Sequence, residues 1–482
     1  MDLKCIFSLA ILVSQISLSS TQNVNVVIQG ATSIGETDDN FVCATLDWWP
    51  TEKCNYNQCP WGRAGQLNLK GLINKIKAFN PLRIKVGGSL QDQVVYRVGG
   101  VKNCPNFMKN ENSLFRFSHG CLPMERWDEL NKIFNQTGVK VTFGLNALLG
   151  RNRSQIEKGL WVGDWKSQNA RDFMKYTISK GYKVDSYEFG NQIFGAGMGA
   201  SVEAEQYGKD IVVLKNLILG PSGYYDEKWF NSFLEVSGHD VVDGVTHHIY
   251  NLGPGVLNIV NKFKPQSGAW VSESGGALHG GAKDLSPTFA DGFWYLDQLG
   301  MASTYNHKVF CRQTLIGGNY ALLNTTTSIP NPDYYGALLW HWLMGITVLA
   351  VTQVSNPNLR VYAHCAKKKP GISIIFINLS KDSSFNVTLS NYEHQSRNSR
   401  STDVTKPEFR GSKDREEYHL AALAGNIQGQ IVLLNDVPMV PTETFDIPTM
   451  EPKLVNASTP ISIAAHSIVY VTIRYFQAPA CA

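Results

Sequence analysis

The chain has 482 residues, 43% of them apolar and 17% charged, enough to bury one large core and a smaller one. A formal net charge of +4 is too mild for a nucleic-acid-binding surface, so no nucleic-acid partner is expected. The same charge is compatible with an acidic polysaccharide without requiring one.

The first residues read as a secretory signal over 1–22. Lys4 supplies the positive start, Ile6 to Leu18 is largely apolar, and Ser19, Ser20 and Thr21 follow. The run is too short for a typical spanning helix. Later apolar runs, such as Ala337 to Val354, carry Trp, His, Gly and Thr and read as core. No transmembrane anchor is expected. The expected destination is the extracellular space or cell wall; a lysosome or vacuole, with peripheral membrane association, is the alternative.

Nine cysteines are present, and Cys5 falls in the leader. An even number remains, which in an exported chain suggests disulfides. Cys43, Cys54 and Cys59 cluster, with partners left open. Cys104 and Cys121 bracket a polar loop and are expected to be bridged. Cys311 lies in an apolar run; a free core thiol is one reading, and its pairing is left open with those of Cys43, Cys54 and Cys59. Cys365 and Cys481 flank the C-terminal region and could clip it closed. The spacings match no zinc site. Glycosylation sequons occur at Asn135, Asn152, Asn324, Asn378, Asn386 and Asn456.

From Val24 to Val354, β-type runs alternate with helix-type runs. Val24 to Ile28 is apolar and β-branched, and Leu72, Ile73, Ile76 and Phe79 then share one helical face. Arg83 to Val86 stops at Gly87-Gly88. Val139 to Leu145 ends at Asn146, and Lys183 to Glu188 leads to Asn191 and Gln192. Val241 to Val245 leads to His247, His248 and Tyr250. Ala269 to Ser272 leads to Glu273, and Val309 to Ile316 leads to Asn319 and Tyr320. This rhythm predicts a (β/α)₈ barrel over 23–355. One crossover is too short: the helix-like stretch Val202 to Asn216 runs straight into Leu217-Ile218-Leu219-Gly220, so either the helix is shortened or the strand begins late.

After Asn356-Pro357 the pattern becomes all-β. Leu359–Ala363, Ile372–Leu379, Phe385–Leu389, Ile431–Leu434 and Ile468–Tyr475 predict an antiparallel β-sandwich over 356–482, to which the chain's first strand, near 24–30, is a candidate contributor. Asn391 to Glu417 is polar and charged and reads as a long loop.

Polar residues at the tips of barrel strands form an active-site face. A retaining glycosidase needs two carboxyl groups there, a nucleophile and an acid/base about 5 Å apart. Glu273 fits the nucleophile, set between a strand and Ser274-Gly275-Gly276; a solvated loop glutamate is the alternative. Gln192 stands where the acid/base is wanted, and an amide carries no titrating proton. Glu188 is no substitute, because four residues back along a strand is about 13 Å at ~3.3 Å per residue; it reads as a buried structural carboxylate. Asn191 can hold a sugar hydroxyl. Tyr250 can donate to Glu273 or simply pack. Asp47 and Tyr320 are further hydroxyl contacts, and Trp48, Trp49 and Trp61 either stack on sugar or fill core. Adjacent His247 and His248 point to opposite faces of a strand, which argues against metal.

The segments CATLDWWPTEKCNYNQCPWG, RIKVGGSLQD, VTFGLNALLG, YEFGNQ, GPSGYYDEKWF, VTHHIYNLG, WVSESGGA, PTFADGFWYLDQLG, CRQTLIGGNYALL and PDYYGALLWHWLMG run in order through nearly all of the chain after its leader. Together they resemble the plant heparanase-like branch of the heparanase and β-glucuronidase family of glycoside hydrolases, family 79. The resemblance implies a barrel with a β-sandwich beside it and retaining cleavage of β-linked glucuronic acid. It implies no cofactor and no metal. By position it makes Glu273 the nucleophile, puts Gln192 in place of the proton donor, and assigns sugar contacts to Asp47, Asn191, His248, Tyr250 and Tyr320. The backbone amides of Gly280 and Gly281 fall in the loop that meets the sugar carboxylate, where Leu278 replaces a usual aromatic. Cys365 and Cys481 match a sandwich-clipping pair. The expected partner is a glucuronic-acid-containing polysaccharide, proteoglycan or glucuronide, bound by a monomer. Gln192 leaves three expectations: an active β-glucuronidase, an impaired hydrolase that binds glucuronate glycans, or a hydrolase restricted to activated aglycones.

Overall fold

The computed structural model describes residues 20–53, 65, 67–194, 199–214, 218–250, 268–278, 280–353, 356–368, 370–391, 414–442 and 446–482. Residues 1–19 of the expected leader, Cys54, Cys59, Trp61 and residues 392–413 of the long polar stretch lie outside the described residues.

The first strand, β1 (Ser20–Glu36), precedes eight parallel strands: β2 (Val42–Asp47), β3 (Arg83–Gly87), β4 (Lys140–Leu145), β5 (Ser186–Phe189), β6 (Ile218–Gly223), β7 (Gly244–Ile249), β8 (Gly268–Ser274) and β9 (His307–Arg312). These eight close into a barrel in chain order, with β9 pairing back onto β2. Most of their residues are buried on both faces, as parallel strands covered by helices require. Helices α1 (Ile73–Lys77), α2 (Met124–Thr137), α3 (Gln168–Ser179), α4 (Ala204–Ile211), α5 (Glu227–Ser237), α6 (Phe289–Thr304) and α7 (Pro332–Leu343) form the outer layer. Asp226 caps α5 by accepting from Trp229 N at 2.9 Å.

The suspect crossover is short because the helix is. α4 ends at Ile211 and tightens into turns, with Val213 N donating to Asp210 O and Leu214 N to Ile211 O, both at 3.1 Å. β6 then meets β5 over two residue pairs, Ile218 with Tyr187 and Leu219 with Glu188. α4 stays close to α5 because a Cβ on Gly208 would stand 2.8 Å from Phe233 O.

The chain leaves the barrel at Met344. The second domain is an 11-stranded sheet containing β1, β10 (Met344–Gln353), β11 (Leu359–Ala366), β12 (Ile372–Asn378), β13 (Ser383–Asn391), β14 (Asp414–Ala422) and β15 (Ser467–Ile473), with four shorter strands at 432–434, 437–438, 453–456 and 461–463. Pairing is antiparallel except between β1 and β13. Val26, Ile28, Phe385 and Val387 pack with Ile372, Ile374, Phe376 and Val471 in a core of its own. The alternate residues Ile375, Ile377 and Tyr470 join the barrel core instead, so Ile374 to Ile377 of β12 runs apolar on both faces rather than alternating. Hydroxyls pin the two domains together: Tyr470 donates to Gly336 O at 2.9 Å and Tyr335 to Met439 O at 3.1 Å. Among the described residues, no helix is long and apolar enough to cross a membrane.

Three expectations are corrected. Cys311 is not a free thiol: it is bonded to Cys43, directly opposite it where β9 closes onto β2. The polar stretch through Glu417 is not all loop, because β14 begins at Asp414 and lies inside the sheet. Its charges pair locally, Arg415 with Glu417 at 2.6 Å and Arg474 with Glu416 at 2.7 Å. Asn378 is not an accessible sequon, being fully buried with its amide donating to Ser383 O and Ala464 O. Cys104–Cys121 and Cys365–Cys481 are bonded as expected.

Candidate active site

Because all eight barrel strands are parallel, their C-terminal ends share one face. Asp47 ends β2, His248 lies near the end of β7 with Tyr250 just beyond, and Glu273 lies near the end of β8. Asn191 and Gln192 follow β5 directly. Gln192 has a left-handed backbone (φ 56°), which turns it off the strand, and its N–H donates to Ser222 O at 2.7 Å.

Glu273 is 7% exposed. Its Oε1 accepts from the Tyr250 hydroxyl at 2.6 Å, and its Oε2 lies 3.8 Å from His248 Nδ1. The same Nδ1 is 2.8 Å from Gln192 Nε2. Gln192 Nε2 and Glu273 Oε2 are therefore no farther apart than the sum of 2.8 and 3.8 Å. Burial pushes the Glu273 carboxyl up to about 7, with Asp47 adding to the rise and Lys85 and the Tyr250 hydroxyl opposing it.

A buried polar chain runs on from His248. Its Nε2 is 2.8 Å from Ser222 Oγ, which accepts from Lys85 Nζ at 3.0 Å, and Lys85 Nζ stands 2.6 Å from Glu188 Oε2. Burial, then Lys85 and His247, hold the His248 pKa well below the ordinary imidazole value, so the ring is neutral. His247 turns the other way, its Nε2 2.9 Å from His307 Nε2. Glu188 is the structural carboxylate expected of it.

Asn191 is set by Asp92, whose carboxylate accepts from Asn191 N at 2.8 Å and Ala147 N at 2.7 Å. Asp47 Oδ2 accepts from Gln313 Nε2 at 3.0 Å and Trp49 Nε1 at 3.1 Å. Among the described residues, three buried polar atoms at these strand tips find no hydrogen-bond partner: Asp47 Oδ1, Asn191 Oδ1 and Trp48 Nε1. Two acceptors and a donor left open in one site are what a polyhydroxylated ligand would satisfy. Trp48 and Trp49 are themselves core, against Phe143 and against Phe115 and Phe117.

Tyr320 is buried against the loop after Glu273. A Cβ on Gly281 (φ 85°) would lie 2.9 Å from its ring. Gly281 N donates to Leu278 O at 3.3 Å, while Asn319 holds the carbonyls of Gly280 and Gly281 at 2.7 and 3.1 Å. Of the tip residues read from sequence, Gln192, His248, Tyr250 and Glu273 are thus in one contact cluster, and Asp47 and Asn191 stand at the same end of the barrel. Lys85, Asp92, Ser222 and Gln313 went unread. Lys85 alone carried a signal, a charge inside the buried strand RIKVG.

A profile of the N-terminal domain of glycosyl hydrolase family 79 matches residues 23–260 and 256–300. Heparanase-like protein 1 of Arabidopsis thaliana is 48% identical, with 95% of each chain covered. Baicalin-beta-D-glucuronidase of Scutellaria baicalensis is 37% identical, covering 91% of this chain and 90% of its own. Among solved structures, a GH51 arabinofuranosidase from Xanthomonas axonopodis pv. citri superposes with a TM-score of 0.63 at 13% identity, covering 93% of this chain and 99% of its own. At that identity the likeness is one of fold.

Proposed function

The chain belongs to glycosyl hydrolase family 79, and from that premise we propose a retaining β-glucuronidase, slow on natural glycans, that acts on glucuronic-acid-containing polysaccharides, proteoglycans or glucuronides. The observation that carries the reading is the meeting of Glu273 and Gln192 at His248 Nδ1. The upper bound on their separation admits a retaining pair, about 5–5.5 Å apart, and leaves only the lower edge of the inverting range of about 6.5–9.5 Å.

Glu273, ionised and steadied by Tyr250, attacks the anomeric carbon. The bond to the leaving oxygen breaks, and its electron pair departs with that oxygen. In a glycosidase with a carboxylic acid at position 192, a proton would follow; the Gln192 amide transfers none. A glycosyl ester on Glu273 results, and water must resolve it without a base at position 192. Aryl glucuronides, whose phenolate leaves unprotonated, are therefore favoured over sugar or alkyl leaving groups. The second reading, a glucuronate-glycan-binding protein without turnover, rests on the same Gln192. We also propose secretion of a glycosylated monomer to the cell wall, from the leader and sequons.

The test sets purified protein against a nitrophenyl glucuronide and a plant glucuronoglycan side by side. Release of nitrophenolate with the glycan untouched supports the first reading. Glycan binding with neither substrate cleaved supports the second.

A further inference from the structure

We propose that the Tyr224 ring is the platform on which the aglycone stacks, and that it selects aromatic aglycones. The proposal rests on the glucuronide reading above and adds preferential binding of aryl glucuronides to the easier departure of their phenolates.

Tyr224 directly follows Gly223, the last residue of β6, so it stands at the tip of the strand beside β5. Two contacts draw the tips of β5 and β6 together. Gln192 N donates to Ser222 O at 2.7 Å, and a Cβ on Gly223 would lie 2.2 Å from the Phe194 ring. On its other side Tyr224 meets the tip of β7. Its ring centre is 6.2 Å from that of Tyr250 and 6.5 Å from that of His248, and these are the two side chains that reach Glu273. Tyr224 is therefore placed between position 192 and the residues around the nucleophile. A general acid protonates the leaving oxygen, so position 192 marks the side of the site on which the aglycone lies. Tyr224 borders that side.

The ring is presented there rather than packed away. Tyr224 is half-buried, whereas Phe194 and His248 are buried. Among the described residues, the rings of Phe194, His248 and Tyr250 meet it at 53°, 73° and 50°. Each leans against the phenol at an angle, and none lies parallel over its face. A flat aglycone stacked on that face would lose apolar area to water contact and gain the offset-stacking term. Burial, then the charge of Glu273, push the Tyr224 phenol up to about 12, so the platform carries no charge to repel a departing phenolate.

The test is equilibrium binding of benzyl and ethyl C-β-D-glucuronides to the full chain, by calorimetry. In these compounds a methylene replaces the glycosidic oxygen of the phenyl and methyl glucuronides, so no bond is cleaved and leaving-group chemistry is silent. The wild type binds the benzyl compound more tightly. Tyr224→Leu lowers the benzyl-to-ethyl preference by about 2- to 10-fold and leaves the affinity for the ethyl compound unchanged. Tyr224→Phe keeps the preference, because it keeps the face. If Tyr224→Leu does not fold, Tyr224→Met is read in the same way. The proposal is overturned, with the glucuronide reading left standing, by a wild type that binds both compounds equally, by Tyr224→Leu with the wild-type preference, or by Tyr224→Phe that loses as much as Tyr224→Leu. A wild type that binds the ethyl C-glucuronide no more tightly than ethyl C-β-D-glucoside overturns both.

Discussion

Lys85 and Glu188 meet at 2.6 Å with both side chains closed to solvent, on β3 and β5, the two strands that flank β4 in the barrel wall. Removing one partner strands the other as a buried charge. Lys85→Met should cost about 3–5 kcal/mol of stability, read as a lower denaturant midpoint. The double variant Lys85→Met/Glu188→Leu should recover most of that loss. If the single variant unfolds at the wild-type midpoint, the pair carries no such weight.

Glu273 should be the residue that becomes covalently glycosylated, and Glu273→Gln should abolish labelling by a fluoro-glucuronide inactivator. Mass spectrometry that finds the sugar on another residue would sink the assignment. Burial raises the Glu273 carboxyl to about 7. A raised carboxyl pKa keeps the neutral, non-nucleophilic form at lower pH. The labelling rate at saturating inactivator should therefore be low below about 7, rise through it, and level off. Tyr250→Phe removes a donor to the anion and should move that rise to higher pH.

Gln192→Glu restores a proton to the position that faces His248. General acid–base catalysis typically contributes about 10²–10⁴-fold, so turnover of natural glucuronoglycans should increase by a factor in that range. The gain on aryl glucuronides should be smaller, and the variant's pH profile should acquire a descending alkaline limb. Equal rates for wild type and variant on an unactivated glucuronide would mean that another group supplies the proton.

Cys43 and Cys311, 268 residues apart, tie the first barrel strand to the last. Replacing both with Ser should lower stability by about 2–4 kcal/mol. Non-reducing peptide mapping of protein from a eukaryotic secretory host should recover this pair together with Cys104–Cys121 and Cys365–Cys481. Detection of free Cys311 would contradict the closure.

The same material tests the sequons. Asn135, Asn152 and Asn456 are exposed and can carry glycans, whereas Asn378 uses its amide inside the sheet. Glycopeptides should include the exposed sites and lack Asn378. A glycan on Asn378 would require the sheet to open there.

The sequence by itself determined the alternation that builds the barrel, the all-β region after it, and the strand tips that hold Asp47, Asn191, Gln192, His248, Tyr250 and Glu273. These are local signals: apolar runs of strand length, glycine turns, and polar residues at the ends of buried segments. It also carried the Gln192 substitution, which no folding can repair, because an amide has no proton to transfer at any position. Tertiary structure alone decided which distant residues meet. Cys311 reads as a core thiol until barrel closure sets it opposite Cys43. Asp414 to Glu417 reads as the end of a polar loop until the strand pairs with β15 and Arg474 finds Glu416. Lys85 is an unexplained charge in a buried strand until register brings Glu188 and Ser222 to it. Such pairings depend on strand order and register, which join residues tens to hundreds of positions apart and leave no periodic trace along the chain.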